Sequence, residues 1–278
     1  MSLHPTWQWQ SWEELPYLTC SLLQEFPHGF FTQQCSPRLP EDLTHALHPE
    51  AAVYRVKQVH GNRVLSPDEI EGHAAIAKPD ESLPSADGVV VHQPAQAAWV
   101  CSADCVPALI ADVRTGQVAA VHAGWRGTAA KIVPEAIARL QQSGSCLSDL
   151  RVALGPAIAG EVYQVSTTVA AEVGASVVKS VATSAGNGLR DRPELDVAAI
   201  LNELRQFPQP PILPDEQPGR VRLDVRQINL LQLMRLGFTE AQVAIAPYCT
   251  YQTPEHFYSY RRNPQKKVQW SGIVSLAA

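Results

Sequence analysis

Apolar positions in this chain fall mostly in short runs, and the spacing inside each run predicts its element. Trp7 and Trp9 alternate with glutamine, and 17–23 is a continuous apolar-rich stretch; both predict strands. Residues 53–59 alternate as a strand, His60-Gly61-Asn62 breaks it as a turn, and Val64-Leu65 is expected to open a partner strand. Asp87-Gly88 leads into Val89, Val90 and Val91, a buried strand, and 97–101 is another. Residues 106–111 and 117–121 read as two strands of a hairpin joined at Arg114-Thr115-Gly116. That hairpin brings its open ends together, so Cys105 and His122 become neighbours. Further strands are expected at 151–155, 243–246 and 270–276.

Helical spacing is rarer. Ile132, Val133, Ile137 and Leu140 share a helical face that Gly144 ends, with Thr128 as a candidate N-cap. Pro134 is too deep for a first-turn proline if the helix begins at Ala129, which predicts a kink or a later start. Residues 166–176 also read as helix. Asp224 caps a further helix, with Gln227 closing a capping box and Gly237 as its stop. Residues 36–50 and 66–84, punctuated by prolines, read as loops. Residues 176–220 are rich in Pro, Gly and Ser, with one helical island at 194–207, and read as a surface excursion from a single domain spanning 1–278. Clustered strands with few helices predict an α+β fold with mixed sheets rather than a doubly wound parallel sheet.

Composition narrows the function classes. Of 278 residues, 45% are hydrophobic, enough for a large core. Lys and Arg number 22 against 27 Asp and Glu, with no basic run, which argues against a nucleic-acid partner. No apolar stretch reaches the roughly 18 residues of a membrane span, so no membrane partner is expected. The first residues lack a basic segment followed by an apolar one, and the six cysteines lack framework spacing. Reduced thiols and a cytoplasmic location are therefore expected. The sequence sets no oligomeric state.

Candidate chemistry gathers at strand ends. His60, Cys105 and His122 are separated by 45 and 17 residues, unlike the tight pairs of a zinc finger. Two imidazoles and one thiolate fit either a metal site with an open fourth position or a thiol–imidazole catalytic pair. The bland alternative is a packed cysteine and two satisfied histidines. Asp104, beside Cys105, is a candidate general acid or base, or a turn former. Arg126 and Arg261 are candidates for holding an anion, with a surface salt bridge as the plain alternative. Gly124 and Gly127 suggest close backbone approach or a tight turn. The three early tryptophans read as packing rather than a stacking platform.

These motifs occur in the order of a known family: Val-Lys-Gln-Val-His-Gly (56–61), Ser-Ala-Asp-Cys-Val-Pro (102–107), His-Ala-Gly-Trp-Arg-Gly-Thr (122–128), Gly-Pro-Ala-Ile (155–158), Tyr-Cys-Thr (248–250) and Phe-Tyr-Ser-Tyr-Arg-Arg (257–262). The chain resembles the YfiH-type family, also labelled polyphenol oxidase or laccase domain, over roughly residues 28–275. The resemblance implies four layers, α/β/β/α, with two mixed sheets between helices. It implies zinc (Zn2+) held by His60, Cys105 and His122. It also implies phosphorolysis of purine nucleosides (adenosine, inosine, guanosine, methylthioadenosine) together with adenosine deaminase activity. In that chemistry Asp104 would carry the proton, and Arg126 and Arg261 would meet the anion. Two departures stand out. Gln33 replaces the family arginine and the 33–50 loop is short, which implies a lost basic contact. Residues 159–164 lack the family's cysteine pair.

Three other functions compete. A thiol hydrolase or amidase, acting on peptidoglycan precursors for example, would use Cys105 as nucleophile, His122 as base and His60 as orienter. A copper oxidase is disfavoured, since the nine histidines include no His-x-His pair. A non-catalytic zinc-binding protein would keep the ligands without the reaction.

Overall fold

The computed structural model describes residues 6–76, 83–179 and 195–277. The first part of the chain forms β1 (Trp7–Trp12), β2 (Leu15–Cys20), β3 (His28–Phe31), α1 (Pro40–Leu47), β4 (Ala52–Tyr54), β5 (Val64–Leu65) and α2 (Pro67–Ala74). The middle forms β6 (Gly88–Val91), β7 (Gln96–Ser102), β8 (Val106–Asp112), β9 (Val118–Ala123), α3 (Trp125–Ala129), α4 (Ile132–Gln142), β10 (Leu150–Leu154), β11 (Gln164–Ser166) and α5 (Thr167–Gly174). The last part forms α6 (Val197–Arg205), β12 (Ile212–Pro214), β13 (Arg220–Leu223), α7 (Val225–Leu236), β14 (Val243–Ile245) and β15 (Gln269–Val274).

The strands make one six-stranded sheet ordered β1-β2-β3-β15-β7-β4, a second ordered β14-β10-β8-β9-β6-β5, and a three-stranded sheet β11-β13-β12. Both large sheets are mixed: β4 runs parallel to β7, while β5 with β6 and β14 with β10 are parallel pairs. Period-two alternation sorts side chains into layers. Leu109, Ala111, Val118 and Ala120 of the second sheet pack against Leu18, Phe30, Val100 and Ile273 of the first. On the other face, Ala108, Ile110, Ala119 and Val121 pack against Ile132, Ala136 and Ile137 of α4 and against residues of α5, α6 and α7. Across the first sheet, Trp99, Phe31 and Val274 pack on Leu43 of α1. The order is therefore α1, sheet, sheet, helices: an α+β fold in four layers, as expected. Every residue of β8 and β9 is buried because both faces of that hairpin are covered.

Several local expectations change. The 36–50 segment contains α1, and the 66–84 segment contains α2. In each, the proline read as a breaker is the first helical residue, where a missing N–H is harmless. Ser66 and Glu69 complete the second start as a capping box. The 53–59 strand ends at Tyr54, and Val64-Leu65 pairs with β6 in the other sheet. Residues 55–63 therefore cross between sheets instead of forming a hairpin. Thr128 lies inside α3, not at a cap, and α4 starts later, after Lys131 with φ 60°. Asp224 caps α7 through the amides of Arg226 and Gln227, while the Gln227 side chain turns to the carbonyl of Gln209, so no box closes. Gly237, with φ 101°, ends the helix. Residues 77–82 and 180–194, parts of the expected 66–84 loop and 176–220 excursion, lie outside the described residues. The described remainder of the excursion is less peripheral than its composition suggests, because Ile200, Leu201 and Leu204 of α6 and Ile212 of β12 join the main core. The tryptophans pack: Trp7 beside Phe30, Trp9 against His256 with its indole donating to the Tyr248 hydroxyl, and Trp12 under Arg38.

Candidate metal centre

The β8–β9 register places Pro107 opposite His122 and Val106 opposite Ala123, so Cys105 and His122 meet at the open end of the hairpin. His60 arrives from the crossing between the sheets. The ligand atoms of His60, Cys105 and His122 all lie within 4.8 Å of one another. The two imidazole rings are 4.8 Å apart between centroids and nearly perpendicular at 85°. His122 is 3% exposed, whereas His60 is exposed, so the cluster opens outward on the His60 side.

Asp87 builds this geometry. It is 0% exposed, and its Oδ1 lies 2.9 Å from His122 Nδ1. That contact leaves Nε2 of His122 as its candidate ligand atom. The same carboxylate accepts from the amides of Val59 (3.2 Å), His60 (2.8 Å) and Gly61 (2.7 Å). Three amide bonds thereby hold His60 in the left-handed region, at φ 63°, which residues other than glycine adopt infrequently. One buried acid thus orients one ligand and positions another. Gly124 makes room, since a Cβ there would stand 2.9 Å from the Cys105 sulfur. Gly127 similarly admits the carbonyl of Gly61, whose oxygen would lie 2.8 Å from a Cβ at that position.

The charges are coupled. Burial would raise the Cys105 thiol, but His122 and His60 beside it bring its pKa down to about 6. Burial would lower His122, but the Asp87 carboxylate and Cys105 raise it to about 9. Burial likewise pushes Asp87 up, and the hydrogen bonds from His122 and the turn amides hold it below its ordinary value. The cluster therefore favours a thiolate at Cys105, the form a metal requires.

The other expected residues stand around this cluster in different ways. Asp104, 9% exposed with φ 94°, uses both oxygens: Oδ1 accepts from Thr250 Oγ1 and Oδ2 from the Arg261 amide, each at 2.7 Å. Its carbonyl accepts from the amide of Ile158 at 3.0 Å. Arg261 is exposed, donates Nη1 to the Gln164 carbonyl and lies 4.9 Å from the Tyr163 ring centre. Arg126 is exposed and lies over Trp125. Gln33, in place of the family arginine, donates to the carbonyl of Pro254 at 2.6 Å.

Asp87, Gln58 and Tyr163 are absent from the sequence-based set. In the sequence Asp87 only leads, with Gly88, into a buried strand; 35 positions separate it from His122, and nothing local announces the pairing. Gln58 exchanges both amide hydrogen bonds with Cys101, at 2.7 Å each, and so ties the crossing to β7. The hydroxyl of Tyr163 is raised to about 12, first by burial and then by the Cys105 charge, with Arg261 and Arg126 opposing. A cavity of about 410 Å³ opens on the cluster, with His60, Cys105 and His122 on one side and residues 265–268 on the other.

Comparison with known proteins adds a family match, two relatives and two solved structures. A family described as multi-copper polyphenol oxidoreductase laccase matches residues 39–207 and 202–275. A purine nucleoside phosphorylase of Synechocystis is 52% identical over 271 residues, 97% of each chain. A purine nucleoside phosphorylase of Bacillus subtilis, YlmD, is 28% identical over 220 residues, covering 79% of this chain and 69% of that one. Among solved structures, YlmD of Geobacillus stearothermophilus superposes with a TM-score of 0.75 at 20% identity, covering 97% of this chain and 99% of that one. The YfiH protein of Bacillus licheniformis does so at 0.69, covering 93% and 96%. These last two speak to the fold.

Proposed function

The chain belongs to the family described as multi-copper polyphenol oxidoreductase laccase, and from that membership we propose that it is a zinc-dependent purine nucleoside phosphorylase with adenosine deaminase activity. Phosphorolysis would join a phosphate oxygen to the anomeric carbon of the nucleoside as the glycosidic bond breaks, releasing free base and sugar 1-phosphate. Inosine, adenosine, guanosine and methylthioadenosine are the substrates in view. The observation that carries the reading is the convergence of His60, Cys105 and His122 in a chain 52% identical, over nearly its whole length, to a protein named purine nucleoside phosphorylase.

The donor set fits zinc: two imidazoles and a thiolate, close enough to share one ion, with a fourth position left for reactant. Copper chemistry of the multicentre kind fits less well, because among the described residues one such cluster is found, enough for a single ion. Bound zinc would supply Lewis-acid polarisation at that open position. The remaining tasks fall to the chain itself. Asp87 fixes the tautomer of His122 and the turn that carries His60. Asp104, the residue proposed to carry the proton in deamination, also binds the 158, 250 and 261 segments to the Cys105 loop through its two oxygens and its carbonyl. Arg126 and Arg261 set positive charge around Tyr163.

The test is purified, zinc-loaded protein with inosine, with and without inorganic phosphate. Phosphate-dependent release of hypoxanthine is expected, as is ammonia from adenosine. Absence of base release at zinc saturation would overturn the phosphorylase. A second reading draws on one specific feature, Asp87 behind His122 behind a low-pKa Cys105, which is also the order of a thiol hydrolase triad. In that case alkylation of Cys105 would abolish activity and zinc would inhibit; in the first case zinc would protect Cys105 from alkylation and sustain turnover.

A further inference from the structure

The cavity over the metal cluster has a wall with no task in the metal chemistry. It is the stretch leading into β15, which presents Tyr260, Gln265, Lys266, Lys267 and Val268 across from His60 and Cys105. Apart from the His60–Cys105–His122 cluster, the charge of this lining is of one sign: among the described residues, two lysines and no carboxylate line the cavity. A purine nucleoside is uncharged and has no need of paired cations, whereas inorganic phosphate does, and a cavity walled by protein strengthens that attraction over its value in open water.

The wall is also held in place. Gln269, buried at the start of β15, accepts from the Tyr258 amide at 2.9 Å and donates back to the Tyr258 carbonyl at 3.3 Å. This clamp closes the 258–269 loop at its base. The Lys267 ammonium lies 5.7 Å from the centre of the Tyr258 ring, which tethers that exposed side chain to the loop at the rim of the cavity. The arginines nearby are committed elsewhere. Arg262 donates to the carbonyls of Thr250, Tyr251 and Phe257, and Arg261 to that of Gln164.

We propose that Lys266 and Lys267 form the phosphate subsite of the metal cavity, so that phosphate meets the nucleoside beside the His60–Cys105–His122 cluster. The inference rests on the phosphorolytic reading of the site. In that reaction the phosphate oxygen bonds to the anomeric carbon, the C–N bond breaks with its electron pair going to the base, and the proton of hydrogenphosphate ends on the base. The lysines hold the attacking anion; they exchange no proton.

The experiment uses the full zinc-loaded chain as wild type, Lys266→Gln, Lys267→Gln, the double variant, and Arg235→Gln on the exposed last turn of α7 as a charge control. Base release is followed against inosine and against phosphate, and inorganic phosphate alone is titrated by thermal shift. The double variant is expected to raise the KM for phosphate about tenfold or more, equivalent to about 1.4 kcal/mol, while the KM for inosine stays within about twofold. It should also lose the saturable phosphate-induced shift that wild type and Arg235→Gln retain. An unchanged KM for phosphate, or a phosphate titration identical in wild type and double variant, overturns the subsite. If wild type releases no base yet binds phosphate through the lysines, the phosphorylase falls and the anion subsite stands. If wild type neither binds phosphate nor uses it, both fall.

Discussion

Asp87 shows how much one side chain decides here. Its carboxylate faces His122 on one side and three successive turn amides on the other, so a single substitution disturbs two ligands. Asp87→Asn keeps the shape but replaces an acceptor with a donor at one oxygen and removes the charge behind His122. Zinc affinity, measured by competition with a chromogenic chelator, is expected to fall about 10- to 100-fold with the far-UV spectrum unchanged. Affinity equal to wild type would show that His122 needs no orienting partner. The three donors are legible as residue types, and the hairpin arithmetic joins two of them. Asp87 is not legible, because its importance comes from a contact between the residue just before β6 and a β9 side chain, which only the β6–β9 pairing creates.

At the scale of elements, the β8–β9 hairpin is the part that the sequence spells out most fully. Its strands, turn and open end stand where the two apolar runs and Gly116 place them, since a buried strand pair leaves little freedom of register. Asp112 ends β8, is 0% exposed, and accepts from the amides of Arg114 (2.8 Å) and Thr115 (3.0 Å) in the turn. Burial pushes its carboxyl up, and the hydrogen bonds donated to it, among them those two, more than offset this and hold it below its ordinary value. A depressed folded pKa means that the stabilisation is complete above the unfolded value, about 4, and is lost as pH falls through the lower folded one. Urea unfolding between about pH 3 and 6 should therefore show a larger acid loss in wild type than in Asp112→Asn, the remaining carboxylates contributing equally to both. Parallel curves would show that Asp112 contributes nothing to acid sensitivity. The misread elements share one cause. Pro40 and Pro67 look like interruptions along the sequence, yet each begins a helix, and a proline's meaning depends on which side of it the backbone coils.

Across the whole molecule, the fold class follows from strand clustering, and the four layers appear once each strand's two faces are assigned to separate cores. The 176–220 stretch resists such reading because composition reports solvent preference, while α6 contributes its apolar stripe to the core whatever surrounds it. The three candidate ligands come from separate parts of the chain, the inter-sheet crossing and both open ends of a central hairpin, so an ion there should stabilise the global fold and not one loop. Saturating zinc at about 1,000 times its Kd would add about 4 kcal/mol, and chelation should lower the Tm in one cooperative transition with little change in secondary structure. A chelator that leaves the Tm unmoved would separate the ion from the fold. The most direct measurement of the central claim is zinc-edge X-ray absorption on the purified protein, paired with metal content. One zinc per chain is expected, bound by one sulfur at about 2.3 Å and two imidazole nitrogens at about 2.0–2.1 Å, with the sulfur shell lost in Cys105→Ser. A zinc shell without sulfur, or one that survives that substitution intact, would contradict it.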